Sequence, residues 1–273
     1  MVTSDSTLVL GGTGTIGSQV VRQLRDSGHE VRVGSRHGEI PFDWSAPETW
    51  EPVLSGVGTM YVVLPDRTEL PATFLGTAER ADVRRVVLLS DRGIDIMNVT
   101  HLQKAERAVR DFCGEWTIVR ADWFDQDFET FFRPAVLGGR LCVPVGAARQ
   151  GFVDAADIGA VMARVGSSGD YAGRVLSLTG PRALSFSEAL ELISQATGRS
   201  ITFDGSPEAF REAMSADGLP VEAIDTMAAN FANLAARGDT ELTGDVQEVL
   251  GRPARDFAAY VNDAADRGVW REG

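Results

Sequence analysis

The run Thr7-Leu8-Val9-Leu10, followed at once by Gly11-Gly12-Thr13-Gly14-Thr15-Ile16-Gly17, constrains this chain more than any other stretch. A short apolar strand feeding a glycine-rich turn and then a helix is the opening of a βαβ unit. The helix is read from Ile16, Val20, Val21 and Leu24 at helical spacing, with Arg22, Arg25 and Asp26 on its other faces. The turn satisfies G-x-G-x-x-G through Gly12, Gly14 and Gly17, and also G-x-x-G-x-x-G through Gly11, Gly14 and Gly17. In either reading one glycine allows the tight turn, another lets the backbone approach a pyrophosphate, and the last lets helix and strand pack closely. Unpaired amides and roughly half a positive charge at the helix start then attract the anion. Gly11 to Gly17, with Thr13, Thr15 and Ile16 among them, are expected to cradle a dinucleotide.

The rest of the first half repeats this alternation of short β-branched runs and helical segments, which predicts a Rossmann-type, doubly wound parallel α/β sheet. Expected strands are Thr7–Leu10, Val31–Val33, Ile40–Phe42, Thr59–Leu64, Arg85–Leu89, Trp116–Val119 and Val175–Leu178. After about Asp122 the chain leaves the sheet through Trp123, Phe124, Phe128, Phe131 and Phe132, turns at Gly138-Gly139, and forms a short strand near Leu141–Val143. It returns through Phe152-Val153-Asp154 and a helix near Ala156–Val165. Ser185 and Glu188 form a capping box, and further helices are expected near Pro207–Ala216, Val221–Arg237, Asp245–Leu250 and Asp256–Arg267. The expected division is residues 1–128 with 151–180 as a nucleotide-binding domain, and residues 129–150 with 181–273 as a smaller, mostly helical substrate-covering region.

Composition narrows the partners. A formal charge of -13 over 273 residues repels phosphate backbones and anionic lipid, so neither nucleic acid nor a membrane surface is an expected partner. No window reaches the roughly 18 apolar residues of a membrane helix, and the polar start lacks the pattern of a signal peptide. Cys113 and Cys142 make no disulfide framework, which suggests a cytoplasmic protein. The three histidines are too scattered to hold a metal, and there is no G-x-S-x-G elbow.

The choice of dinucleotide is read at the end of the second strand. An NAD binder usually carries Asp or Glu there, about 20 residues beyond the glycines. This chain has Gly34-Ser35-Arg36-His37-Gly38, with no acid and an arginine suited to a 2′-phosphate. NADP(H) is therefore expected, held by Ser35 and Arg36. Asp43 and Trp44 after the third expected strand, and Leu64 and Pro65 after the fourth, are placed around the adenosine.

Several stretches beyond the loop together resemble an atypical, NmrA-like short-chain dehydrogenase/reductase. They are Val86 to Ser90, Trp116 to Phe124, Phe152 to Gly159, Val175 to Pro181 and Gly251 to Asp263. The resemblance covers nearly the whole chain and implies a Rossmann domain for NAD(P)(H) with a small C-terminal cover over the substrate. Its known members include quinone and azo-dye reductases, enzymes acting on C=C or C=N bonds, and regulators that bind the dinucleotide without turnover.

The chain departs from that family's usual catalytic pattern. Tyr61, Tyr171 and Tyr260 are the only tyrosines, none has a lysine four residues on, and Lys104 is the only lysine. Aligning Glu106 with the glutamate that often follows the Tyr–Lys motif puts Asn98 and Leu102 in the tyrosine and lysine slots. Alcohol–ketone chemistry by a lysine-assisted tyrosine is thus not expected. A quinone, an iminium or an activated C=C bond accepts hydride without that pair, and is the expected substrate class. Ser90 is placed beside the nicotinamide, and Asp91, Trp123, Phe124 and Phe128 in the substrate pocket. His101, Lys104 and Asp122 are candidate catalytic groups, and Asp125 is a further polar neighbour. A non-catalytic NADP(H) sensor that binds a protein partner is the alternative, and oligomeric state is left open.

Overall fold

A computed structural model describes residues 6–36 and 40–271. The first six strands and helices run β1 (Ser6–Leu10), α1 (Thr15–Asp26), β2 (Val31–Gly34), α2 (Trp50–Leu54), β3 (Val57–Val62) and α3 (Ala72–Arg80). Then come β4 (Arg85–Asp91), α4 (Thr100–Arg110), β5 (Glu115–Ala121), α5 (Arg133–Leu137), β6 (Arg140–Cys142), α6 (Ala155–Gly166) and β7 (Arg174–Leu178). The chain closes with α7 (Phe186–Thr197), β8 (Thr202–Asp204), α8 (Pro207–Ala216), α9 (Val221–Arg237), α10 (Asp245–Leu250) and α11 (Phe257–Asp266).

Among the described residues the main sheet has six parallel strands in the order β2-β1-β3-β4-β5-β7. Successive strand residues face opposite sides, so one apolar run supplies two cores. Val9, Tyr61, Val87 and Val119 pack under α1, α6 and α10, whereas Leu8, Leu10, Met60, Leu88 and Ile118 pack under α2, α3 and α4. That double burial explains the nearly uninterrupted hydrophobicity of the strands. A third, strongly aromatic core joins Phe128, Phe132, Phe152, Phe186, Phe257 and Trp270 with the apolar faces of α5, α7, α9 and α11.

Ile40–Phe42 does not form a strand of the sheet. It makes one bridge, Ser35 with Pro41, and Phe42 N donates to Ser35 O at 3.0 Å. Pro41 has no amide to extend the ladder. The short strand expected near Leu141 is β6, and it pairs in parallel with β8 in a separate two-stranded sheet. The Ser185 capping box closes α7, with Ser185 N donating to Glu188 at 2.8 Å and Glu188 N to Ser185 at 3.1 Å.

The C-terminal segment is clamped to the sheet domain by arginines. Arg255 donates to Asp154, the N-cap of α6, at 2.7 Å, and its own amide donates to Asp157 at 2.6 Å. Arg252 reaches the other oxygen of Asp157 at 2.6 Å. No described helix is long and apolar enough to cross a membrane.

Candidate active site

All six parallel strands end on one edge, and strand order reverses between β1 and β3, the place where such sheets take up ligands. The glycine turn sits at that reversal. Gly11 has a φ of +79°, and a Cβ there would lie 2.3 Å from the Val63 carbonyl oxygen. A Cβ on Gly17 would lie 2.1 Å from the Gly11 carbonyl oxygen. Both positions therefore exclude any side chain for internal reasons. Gly14 differs: it is exposed, and the nearest atom to an added Cβ is 3.5 Å away. Nothing inside the protein demands a glycine there, and its lack of a side chain leaves the loop open to an approaching ligand. Gly14 also caps α1 without a side-chain hydrogen bond, and the first turn carries no acid, which leaves its amides for an anion.

Beside the loop lies a cleft of about 420 Å³ whose wall includes Gly11, Thr13, Ser35, Arg36, Trp44 and Pro65. Arg36 stands exposed on its rim and makes no ion pair among the described residues. Asp43 also lines the cleft. The hydroxyl and amide of Ser45 bind its carboxylate at 2.6 and 2.8 Å and hold it below the usual carboxylate range. Phe42 is buried beneath this wall, with Trp44 edge-on to it at 4.7 Å. The segment thus brings Asp43 and Trp44 to the cleft as a loop rather than a strand end. Ser45 and Thr68, which the sequence did not single out, join them. Leu64 packs on the core below, and residues 37–39, including His37 and Gly38, lie outside the described residues.

A second, smaller cavity of about 150 Å³ opens at the ends of β4 and β5, lined by Asp91, Asp122, Trp123, Phe124, Asp127 and Arg237 among others. Trp123 stacks on Phe132 and Phe231 at 5.8 and 6.2 Å, which fixes an aromatic wall. Asp91 accepts from the Gly93 amide, yet burial pushes its pKa up to about 6. Asp127 accepts from the Phe124 amide at 3.0 Å, and burial pushes its pKa to about 7. Asp122 is committed elsewhere: its carboxylate receives Arg92 at 3.0 Å, Thr240 at 2.9 Å and the Trp123 amide at 2.9 Å.

Other candidates are placed away from this cavity. Phe128 is fully buried in the aromatic core. Ser90 donates to Glu106 at 2.7 Å, so its hydroxyl serves a buried network in which Arg120 binds both Glu106 oxygens at 2.7 Å. Lys104 pairs with Glu69 at 2.6 Å on the surface. His101, half-buried on α4, has its pKa lowered by burial against the pull of Asp66 and Glu69. Asn98 is exposed with a φ of +51°. Asp125 is sealed in the interior, neither carboxylate oxygen has a hydrogen-bond partner among the described residues, and burial raises its pKa well above the ordinary value. Asp127, Met97, Leu234 and Arg237 reach the cavity without having been singled out. Leu234 and Arg237 come from the end of α9, more than a hundred residues away in sequence, and no local pattern marks them.

Known proteins align with the chain along nearly its full length. An oxidoreductase of Bacillus subtilis, YesF, is 31% identical over 286 residues, covering 99% of this chain and 98% of its own. The chain belongs to the NmrA-like, NAD(P)-binding atypical short-chain dehydrogenases/reductases. The NAD(P)H azoreductase of Xenophilus azovorans is 28% identical over 273 residues, covering 93% of this chain and 96% of its own. The fold matches the NADPH-dependent quinone oxidoreductase of Escherichia coli solved with NADPH, at a TM-score of 0.79, 19% identity, and coverage of 95% and 99%. No family model matches the chain. Family membership agrees with a glycine loop for NAD(P)(H). It leaves the chemistry of the small cavity to the residues themselves.

Proposed function

We propose that this NmrA-like protein is an NADPH-dependent reductase of a small conjugated or aromatic electrophile, a quinone, an iminium or an activated C=C bond. The observation that carries the reading is the placement of two sites on one sheet edge. An anion cradle with an exposed arginine on its rim stands at β1 and β2, and a small aromatic cavity at β4 and β5. The residues fit the dinucleotide, because Gly14 leaves open the space a Cβ would fill and the first turn of α1 carries no competing acid. Arg36 suits the 2′-phosphate, and Trp44 and Pro65 wall the cleft where the adenosine belongs. Bound NADPH supplies a hydride. The protein positions the acceptor against Trp123 and Phe124 and restricts it to roughly one ring, since a cavity of about 150 Å³ elsewhere takes up benzene.

The tyrosines support chemistry without a phenol. Tyr61 and Tyr260 are buried, and burial raises both pKa values, so neither is an activated acid. The test is oxidation of NADPH, followed by absorbance, by purified protein with a panel of quinones, iminium ions and enones. Turnover with at least one class is expected. Tight NADPH binding with no turnover across the panel would replace this reading with that of a dinucleotide sensor.

A further inference from the structure

A quinone or enone that accepts hydride still needs a proton, and the chain has no Tyr–Lys pair to give one. We propose that Asp127 is the acid that completes the reduction, with Asp91 as the carboxylate that keeps the proton on it and Arg237 as the cation that receives the developing charge. This assignment rests on the reductase reading above.

The geometry is specific. Asp91 and Asp127 line one cavity of about 150 Å³, so a single ring filling it meets both. Each carboxylate has one oxygen engaged by a nearby backbone amide, Asp91 by Gly93 and Asp127 by Phe124. The other oxygen of each has no hydrogen bond among the described residues. Arg237 lines the same cavity, donates through Nη2 to Gln150 at 3.2 Å, and has a buried Nε without a partner. Met97, Trp123, Phe124 and Leu234 complete the wall with apolar side chains.

The two acids differ in what surrounds them. Asp91 faces the cations Arg237 and Arg120 as well as Asp122, whose own charge is met by Arg92. The charges acting most strongly on Asp127 are those of two acids, Asp91 and Asp66, although Arg237 lines the same cavity. Burial raises both carboxyls, Asp91 to about 6 and Asp127 to about 7, and at Asp127 the neighbouring Asp91 charge adds to the effect of burial. Cations beside Asp91 and acids beside Asp127 give the two carboxyls different roles, an electrostatic partner and an acid.

The step balances. Hydride adds to the electrophilic carbon and the π pair moves to the oxygen or nitrogen at the other end of the conjugated system. The Asp127 O–H bond breaks, a bond from that atom to hydrogen forms, and the Asp127 carboxylate regains its proton from water. Reduction of an iminium cation needs hydride alone, so it bypasses Asp127.

That contrast supplies the test. Single-turnover rates at saturating NADPH and acceptor are measured for cyclohexenone and for the N-methyl-3,4-dihydroisoquinolinium cation, with the unaltered protein and with Asp127→Asn. The asparagine keeps an acceptor for the Phe124 amide. The ratio of enone to iminium rates is expected to fall about 100-fold in the variant. The decline of the enone rate above neutral pH should disappear with it. In the ligand-free protein, infrared titration should show a protonated carboxyl that ionises near neutrality and is missing from the variant. Asp125 and Asp91 keep their own bands in both proteins, so an unchanged rate ratio, or no loss of a band titrating near neutrality in the variant, overturns the assignment. If the unaltered protein oxidises NADPH with no member of the quinone, iminium and enone panel, the reductase reading falls, and the role of Asp127 falls with it.

Discussion

Arg255 Nη1 donates to Asp154 Oδ2 at 2.7 Å across 101 residues of sequence, joining the closing segment of the chain to the N-cap of the helix that packs on the glycine-loop helix. Asp154 is only 1% exposed, and its other oxygen accepts from the Ala156 amide at 2.7 Å and Gln126 at 3.2 Å, so the pair is held in the interior.

Arg255→Ala leaves a buried carboxylate without its cation and should cost about 3 kcal/mol of stability. Urea denaturation measures the loss. Hydrogen exchange should show the release concentrated in α10 and α11 rather than in β1 to β5.

The glycines of the loop separate by substitution. Gly17→Ala forces a Cβ against the Gly11 carbonyl and should lower both the melting temperature and the dinucleotide affinity. Gly14→Ala meets only ordinary contact, so its melting temperature should stay within about 2 °C of the unaltered protein while NADPH affinity falls at least tenfold. Equal thermal loss in both variants would remove the distinction between them.

Arg36→Ala should weaken NADPH about 10- to 100-fold, the worth of a charge-assisted hydrogen bond to phosphate. NADH should be nearly unaffected. Fluorescence titration of both nucleotides decides it, and equal losses would withdraw the NADP preference.

Glu106 is 1% exposed, and although burial works against its charge, Arg120 and Ser90 hold its pKa below the ordinary value. A depressed folded-state value adds stability above the unfolded pKa near 4.3, and this is lost as pH falls through the folded value. Glu106→Gln should cost about 3 kcal/mol at pH 7 and much less in acid, as denaturation curves at the two pH values would show.

Asp127 runs the opposite way. Its folded-state pKa is raised, so the folded chain binds the extra proton between the unfolded value near 3.9 and about 7. Its contribution to stability is complete at acid pH and declines as pH climbs through that window. Asp127→Asn should therefore be more stable than the unaltered protein above pH 7, by about 1–3 kcal/mol, and show no such gain at pH 4.

Much of the fold was legible because its signals are local. The strand–glycine–helix sequence of residues 7–24, the Ser185–Glu188 box, and the helices α8, α9 and α10 all appear where their apolar spacing and end signals put them. Ile40–Phe42 was misread for the converse reason. Its composition suits a strand, but a ladder needs a donor that Pro41 lacks and a neighbour that continues past Ser35. The β6–β8 pair was invisible because two three-residue strands carry no register information until a common core brings them together.

The small cavity marks the same boundary. The sequence by itself determined the glycine turn, since positions that tolerate no Cβ, Gly11 and Gly17, can be written within seven consecutive residues. It also determined that no Tyr–Lys pair exists. Only the tertiary structure decided which acids share the cavity. It turned Asp122 toward Arg92 and Thr240, buried Asp125 elsewhere, sent Lys104 to Glu69, and brought Asp127 and Arg237 to one wall. A side chain's charge and reach are set by what desolvates it and what pairs with it. In this protein those partners come from strands and helices far apart in the chain.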